Sequence, residues 1–196
     1  MNTRFQKQIN FILEIDKLKT IFRKTRLLDN SRYENSAEHG WYMAIMAILL
    51  LEYSKESNID ILKVIKMALI HDIVEIDAGD TYLYDSESQK NKSQKEKKAA
   101  KRIFGILPDD QRDEFIILWN EFEEKKTKEA KFAAVLDRIG PLIQNYHTKG
   151  CEWKKNSIKS SQVYSANQHI EQGSTELWNF ARQIIDDSVK KGYLVK

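Results

Sequence analysis

Ile61-Leu62-Lys63-Val64-Ile65-Lys66-Met67-Ala68-Leu69-Ile70-His71-Asp72-Ile73-Val74-Glu75 is the stretch whose reading decides the fold. Ile61, Val64, Ile65, Ala68 and Leu69 recur at three- and four-residue intervals, so they predict one unbroken buried face of an amphipathic helix. Asp60 is its expected cap, and the helix is expected to stop near Gly79.

The same period extends in both directions. Phe5, Ile9, Ile12 and Leu13 form a stripe over residues 3–20, continued by Leu18, whereas residues 22–32 lose the period and read as a connecting loop. Asn35-Ser36-Ala37-Glu38 predicts a helix start, with Asn35 as N-cap and Glu38 reaching back to it. That helix, running to about Ser54, is apolar nearly all round, which predicts a central position. Residues 86–104 predict a helix with a thin apolar side, hence exposed. Pro108-Asp109-Asp110 opens another through Phe115, Leu118, Trp119 and Phe122, and Thr127 caps one carrying Ala130, Ala133, Ala134 and Leu136. Residues 147–173 are polar and less regular. The last helix, from Ser174 to about Lys191, turns Trp178, Ala181, Ile185 and Val189 inward and ends at Gly192.

Composition agrees. Of 196 residues 41% are apolar and 31% charged, with 7 Gly and 2 Pro, too little turn chemistry for an all-β sandwich or barrel. A single all-α domain is expected over residues 1–196. The longest apolar run, 41–51, is too short to span a bilayer, and Met1-Asn2-Thr3-Arg4 opens no signal-peptide pattern. One cysteine, Cys151, excludes an internal disulfide, so the expected location is the reducing cytoplasm. The net charge of +3 is mild. Lys90, Lys92, Lys95, Lys97, Lys98, Lys101 and Arg102 cluster around a lone Glu96. This segment reads either as a solvated helix or as a basic rim that attracts a phosphorylated substrate; without interleaved aromatics, nucleic acid is not the expected partner.

The anomaly lies in polar residues where a core helix should be dry. His71 and Asp72 sit together in the apolar run, with Glu75 one turn after His71. A buried carboxylate must be paired, hydrogen-bonded or bound to metal. Seen alone, such a pair reads as a helix end with ordinary hydrogen bonds. His39 in the first turn of the other central helix, and Asp137 inside Ala133-Ala134-Val135-Leu136-Asp137-Arg138-Ile139, change that balance. Two imidazoles and two carboxylates suit an intermediate divalent ion. Neighbouring helical residues diverge by roughly 100°, so His71 and Asp72 share an ion only if it lies between their directions. Pro141 has no N–H for the carbonyl of Asp137, which predicts a bend just after that carboxylate.

A single His, a His-Asp doublet and a distant Asp, all on helices, resemble the HD superfamily of metal-dependent phosphohydrolases. The finer similarity is to the subgroup that includes bacterial 5′-deoxynucleotidases. It is carried by Leu18-Lys19-Thr20-Ile21-Phe22-Arg23, Glu34-Asn35-Ser36-Ala37-Glu38-His39, His71-Asp72-Ile73-Val74-Glu75-Ile76-Asp77-Ala78-Gly79-Asp80 and Leu136-Asp137-Arg138. The resemblance implies a compact helical HD fold, with a metal-site core over about 10–146 and a C-terminal helical extension over about 147–196. It implies His39, His71, Asp72 and Asp137 as metal ligands, Glu75 as the carboxylate that positions or deprotonates water, and Asp80 as an acid near the leaving group. Arg23 matches the arginine that contacts the substrate phosphate. After it the chain reads Lys24-Thr25-Arg26-Leu27, where the subgroup has Trp and Pro, and one extra residue precedes His39. Sugar preference therefore stays open, and Arg26 is a substitute candidate for phosphate binding.

His147 and His169 are the remaining histidines, and none lies between Asp72 and Asp137, where two-metal members carry extra ones. One divalent ion per chain (Mn, Fe, Co, Ni, Zn or Mg) is the expectation. The implied reaction is hydrolysis of phosphomonoesters such as (deoxy)nucleoside 5′-monophosphates, by a homodimer. The alternative is a non-catalytic, metal-stabilised helical protein that uses residues 90–102 to hold a phosphorylated ligand or RNA.

Overall fold

The computed structural model describes residues 3–196, apart from the side chains at 86 and 88; residues 1 and 2, part of the N-terminal stretch read above, lie outside it. The helices are α1 (Thr3–Ile15), α2 (Ser36–Leu50), α3 (Ile61–Ile70), α4 (Glu75–Ala78), α5 (Ser86–Gln89), α6 (Lys92–Phe104), α7 (Asp109–Glu124), α8 (Lys128–His147), α9 (Cys151–Lys155), α10 (Ser160–Asn167), α11 (Ile170–Gly173) and α12 (Thr175–Lys190). The all-α expectation holds, with one small addition. Residues 22–32, expected to be a loop, instead contribute strand β1 (Phe22–Arg26), which pairs antiparallel with β2 (Tyr33–Asn35). The polar stretch Phe22-Arg23-Lys24-Thr25-Arg26 has no apolar period to announce a strand, so its conformation is set by the pairing itself.

At the centre α2, α3 and α8 each pack on the other two. Gly40 allows this closeness, since a Cβ there would meet the Ala68 carbonyl oxygen at 3.0 Å. Asn35 starts α2 as expected: its side chain accepts from the Glu38 N–H at 2.9 Å, while the Glu38 carboxylate accepts from the Asn35 N–H at 3.2 Å. Such a cap stabilises a helix by about 0.5–2 kcal/mol and fixes where His39, one residue beyond Glu38, enters the core. Asp60 and Thr127 cap α3 and α8. Helix α8 runs through Pro141 without ending.

Three burial expectations are corrected. Leu69 is 49% exposed, so the buried face of α3 is carried by Val64, Met67, Ala68 and Ile70. In α1 the stripe residues Phe5, Ile12 and Leu13 are exposed and Phe11 is the buried one. Helix α2 is central on one side only, because Trp41, Ile45, Ile48 and Leu49 face outward. Helix α6 is anchored more firmly than its composition suggests, burying Ala99, Ala100, Ile103 and Phe104. The stretch 147–173 resolves into α9, α10 and α11; α11 and α12 close on α8, and α10 packs on α12.

Candidate metal centre

Regular helix α3 stops one residue before the doublet. His71–Val74 is a tight 3-10 turn, α4 follows as a single turn, and Gly79 then adopts a left-handed φ of 76°. A side chain at that φ is strained, so glycine suits the reversal that delivers Asp80. Helix α2 brings His39, fully buried, and α8 brings Asp137, 8% exposed.

The structure brings all four candidate ligands together. The Nε2 atom of His39 lies 2.9 Å from Asp137 Oδ1 and 4.0 Å from Asp72 Oδ2. The Nε2 atom of His71 lies 3.1 Å from Asp72 Oδ1 and 3.8 Å from Asp137 Oδ1. Donor atoms of His39, His71 and Asp72 fall within 4.8 Å of one another. These separations suit donors sharing an ion bound at about 2.1 Å.

The protonation pattern supports the same fit. His71 Nδ1 donates to the Ala68 carbonyl at 2.9 Å, which leaves the Nε2 lone pair directed at carboxylate oxygens. That atom is buried and has no hydrogen-bond partner among the described residues, as is His39 Nδ1. A lone pair facing a carboxylate is unfavourable unless a cation lies between them. Without a metal, the cluster recruits a proton instead. Burial opposes a charged His71, yet Asp72 and Asp137 outweigh it and push the imidazole up to about 9. Burial likewise opposes charge on Asp72 and Asp137. His71 and Arg23 nevertheless hold Asp72 below the usual carboxylate range, and Arg138 with His39 does the same for Asp137.

Around the donors lies a second layer that sequence reasoning did not assign. Glu34, 2% exposed, places Oε2 3.6 Å from both His39 Nδ1 and Arg23 Nε, and its Oε1 accepts from Gln144 at 2.7 Å. Ser36 donates to Glu75 Oε2 at 2.6 Å. Both residues lie in the Glu34–His39 segment, but nothing in the local pattern says what they touch. Phe122 packs on the His71 ring at 4.7 Å between centroids, and Trp119 Nε1 donates to the His71 carbonyl at 3.2 Å.

A cavity of about 340 Å³ opens on the cluster, the size of a small-molecule site. Arg23, His71, Asp72, Glu75, Asp80 and Asp137 all line it. Arg23 binds Asp72 Oδ2 through a terminal guanidinium nitrogen at 2.6 Å. Burial, followed by the charge of Asp72, pushes Glu75 up to about 8, and burial also raises Asp80. Arg26 is not brought to the cavity wall; it pairs with Glu152 at 3.0 Å and lies over the Tyr33 ring at 4.6 Å. Of the basic cluster only Lys92 lines the cavity, while Lys95, Lys97, Lys98 and Lys101 are solvated and Arg102 pairs with Asp77 and Glu14. His147 is exposed, and His169 lies outside the cavity lining.

Comparison with known proteins places this geometry. The family described as HD domain matches residues 15–178. The 5′-deoxynucleotidase HDDC2 of Homo sapiens is 29% identical over 152 residues, covering 77% of this chain and 72% of its own. That of Dictyostelium discoideum is 33% identical over 140 residues, covering 68% and 73%. Among solved structures, a "predicted metal-dependent phosphohydrolase" from Magnetospirillum magnetotacticum superposes with a TM-score of 0.95 at 47% identity, over 99% of this chain and 97% of that one. A conserved hypothetical protein from Pyrococcus furiosus gives 0.66 at 27% identity, over 93% and 99%.

Proposed function

The chain belongs to the HD-domain family, and from that membership we propose a divalent-metal-dependent phosphohydrolase that cleaves phosphomonoesters of the (deoxy)nucleoside 5′-monophosphate kind. The observation that carries the reading is the buried cluster of two imidazoles and two carboxylates, with His–Asp donor separations of 2.9–4.0 Å, of which His71, Asp72 and Asp137 line the cavity and His39 backs them from the core. His39, His71, Asp72 and Asp137 would hold one ion. When bound, it supplies Lewis-acid stabilisation of the phosphoryl oxygens and lowers the pKa of water.

The other roles belong to the chain's own side chains. Glu75 is fixed by Ser36 and its carboxyl titrates close to neutrality, which suits a group that takes a proton from attacking water. Asp80, raised by burial, is suited to return a proton to the departing alkoxide oxygen. Arg23 offers a planar fork to the phosphate, where it would exchange its bond to Asp72 for bonds to substrate oxygens. Arg26, held by Glu152 and Tyr33, steadies the β-hairpin instead.

The active unit is a homodimer in a reducing cytoplasm. The outward apolar residues of α2 and Leu69 of α3 support a second copy as the covering surface. Cys151 is free, and no helix among the described residues is long and apolar enough to cross a membrane. Phosphate release across a panel of ribo- and deoxyribonucleoside 5′-monophosphates, with Mn²⁺ or Co²⁺ added, tests the reading. Turnover of at least one member is expected, and no release from any phosphomonoester with any divalent ion would overturn it.

A further inference from the structure

The cavity carries a second cationic arm that the reaction at the His–Asp cluster leaves unused. We propose that Lys125 and Arg138 form a subsite for a second anionic group on the substrate, a phosphoryl group remote from the scissile ester; this rests on the phosphohydrolase reading above. Both residues line the cavity. Lys125 ends α7 in the left-handed conformation, φ 52° and ψ 33°, with its N–H on the Glu121 carbonyl at 3.2 Å.

Its ammonium group is partly buried and has no hydrogen bond or ion pair among the described residues, although Asp137 and Glu123 lie within electrostatic reach. Burial and the nearby Arg138 guanidinium lower its pKa, the mark of a cation held without enough opposing charge. Arg138 has spare donors as well. One terminal nitrogen meets Asp137 Oδ2 at 3.2 Å, while its buried Nε has no partner. Two cations with unused donors on one cavity wall ask for an anion.

The arm is distinct from the one assigned to the scissile phosphate. Arg23 meets the cluster at Asp72 and Arg138 meets it at Asp137, so the two guanidinium groups are held on different carboxylates. Lys92, also on the wall, is already paired with Glu96 at 3.5 Å. A substrate with one phosphate at the cluster leaves Lys125 facing water. A substrate with a second phosphoryl group gains charge-assisted hydrogen bonds, worth roughly 10–100-fold in affinity.

The test compares deoxyadenosine 5′-monophosphate with deoxyadenosine 3′,5′-bisphosphate on wild type, Lys125→Met and Lys125→Arg. It reads the ratio of KM values, and the ratio of Kd values by calorimetry on metal-chelated protein. Wild type is expected to favour the bisphosphate at least tenfold, Lys125→Met to bring both ratios near one, and Lys125→Arg to restore them. A wild-type ratio near one, or a ratio that Lys125→Met leaves intact, overturns the subsite. Preferential binding of the bisphosphate without release of phosphate from either compound supports the subsite and sinks the hydrolase reading instead.

Discussion

Asp137 divides its carboxylate between two tasks: Oδ1 faces both imidazoles while Oδ2 meets Arg138. Glu75 works under the opposite constraint. It is 4% exposed, near the charge of Asp72, and satisfied at Oε2 by a neutral hydroxyl. Its folded pKa, about 8, lies above its ordinary value of 4.5. The folded protein therefore holds the proton more tightly than the unfolded chain. The resulting stability is complete below pH 4.5 and is lost as the pH rises through about 8. In metal-chelated protein, Glu75→Gln should remove this loss. Urea unfolding at pH 5 and pH 9 should show the variant gaining on wild type with rising pH, by on the order of a few kcal/mol; an equal difference at both values would contradict the burial argument. With metal restored, the same variant should lose about 100-fold or more in kcat, measured by phosphate release.

Elements decide where these side chains meet. The N-cap of α2 sets the register of His39, so Asn35→Ala should lower stability by about 0.5–2 kcal/mol, visible as a drop in Tm; an unchanged Tm would show that packing alone fixes the helix start. The helices were legible from their apolar periods, and His71-Asp72 and Asp137 as polar residues interrupting them; His39, in a polar helix start, was singled out by its place in the other central helix and by the family resemblance. Glu34 and Ser36 were not legible as neighbours of His39 and Glu75: Ser36 and Glu75 are far apart in the chain, and Glu34 reaches His39 across the bend from β2 into α2, which carries no local pattern. The strand Phe22–Arg26 escaped for a related reason: its backbone bonds go to Tyr33–Asn35, and its side chains carry no alternation that local reading can detect. Lys125 lies in the charged run Glu123-Glu124-Lys125-Lys126, where nothing local sets it apart; its left-handed φ and its place on the cavity wall do.

At the scale of the whole molecule, apolar sequence and burial part company. Trp41, Ile48 and Leu49 are 61%, 58% and 66% exposed on a helix whose other face is core. Amphipathic reading gives the period of such a helix but not what covers its second side. Light scattering should return the mass of two chains for wild type and of one chain for Trp41→Glu combined with Leu49→Glu; a wild-type monomer would leave that face without its proposed cover. One cluster, assembled from α2, the 3-10 turn after α3, and α8, holds every candidate ligand of the ion. The most direct test is to strip the protein with chelator and back-titrate with Mn²⁺, following bound metal and phosphate release in the same sample. Release should be absent in the stripped protein, rise with bound metal and level off at one ion per chain. Full turnover in the stripped protein would contradict the metal-centred mechanism.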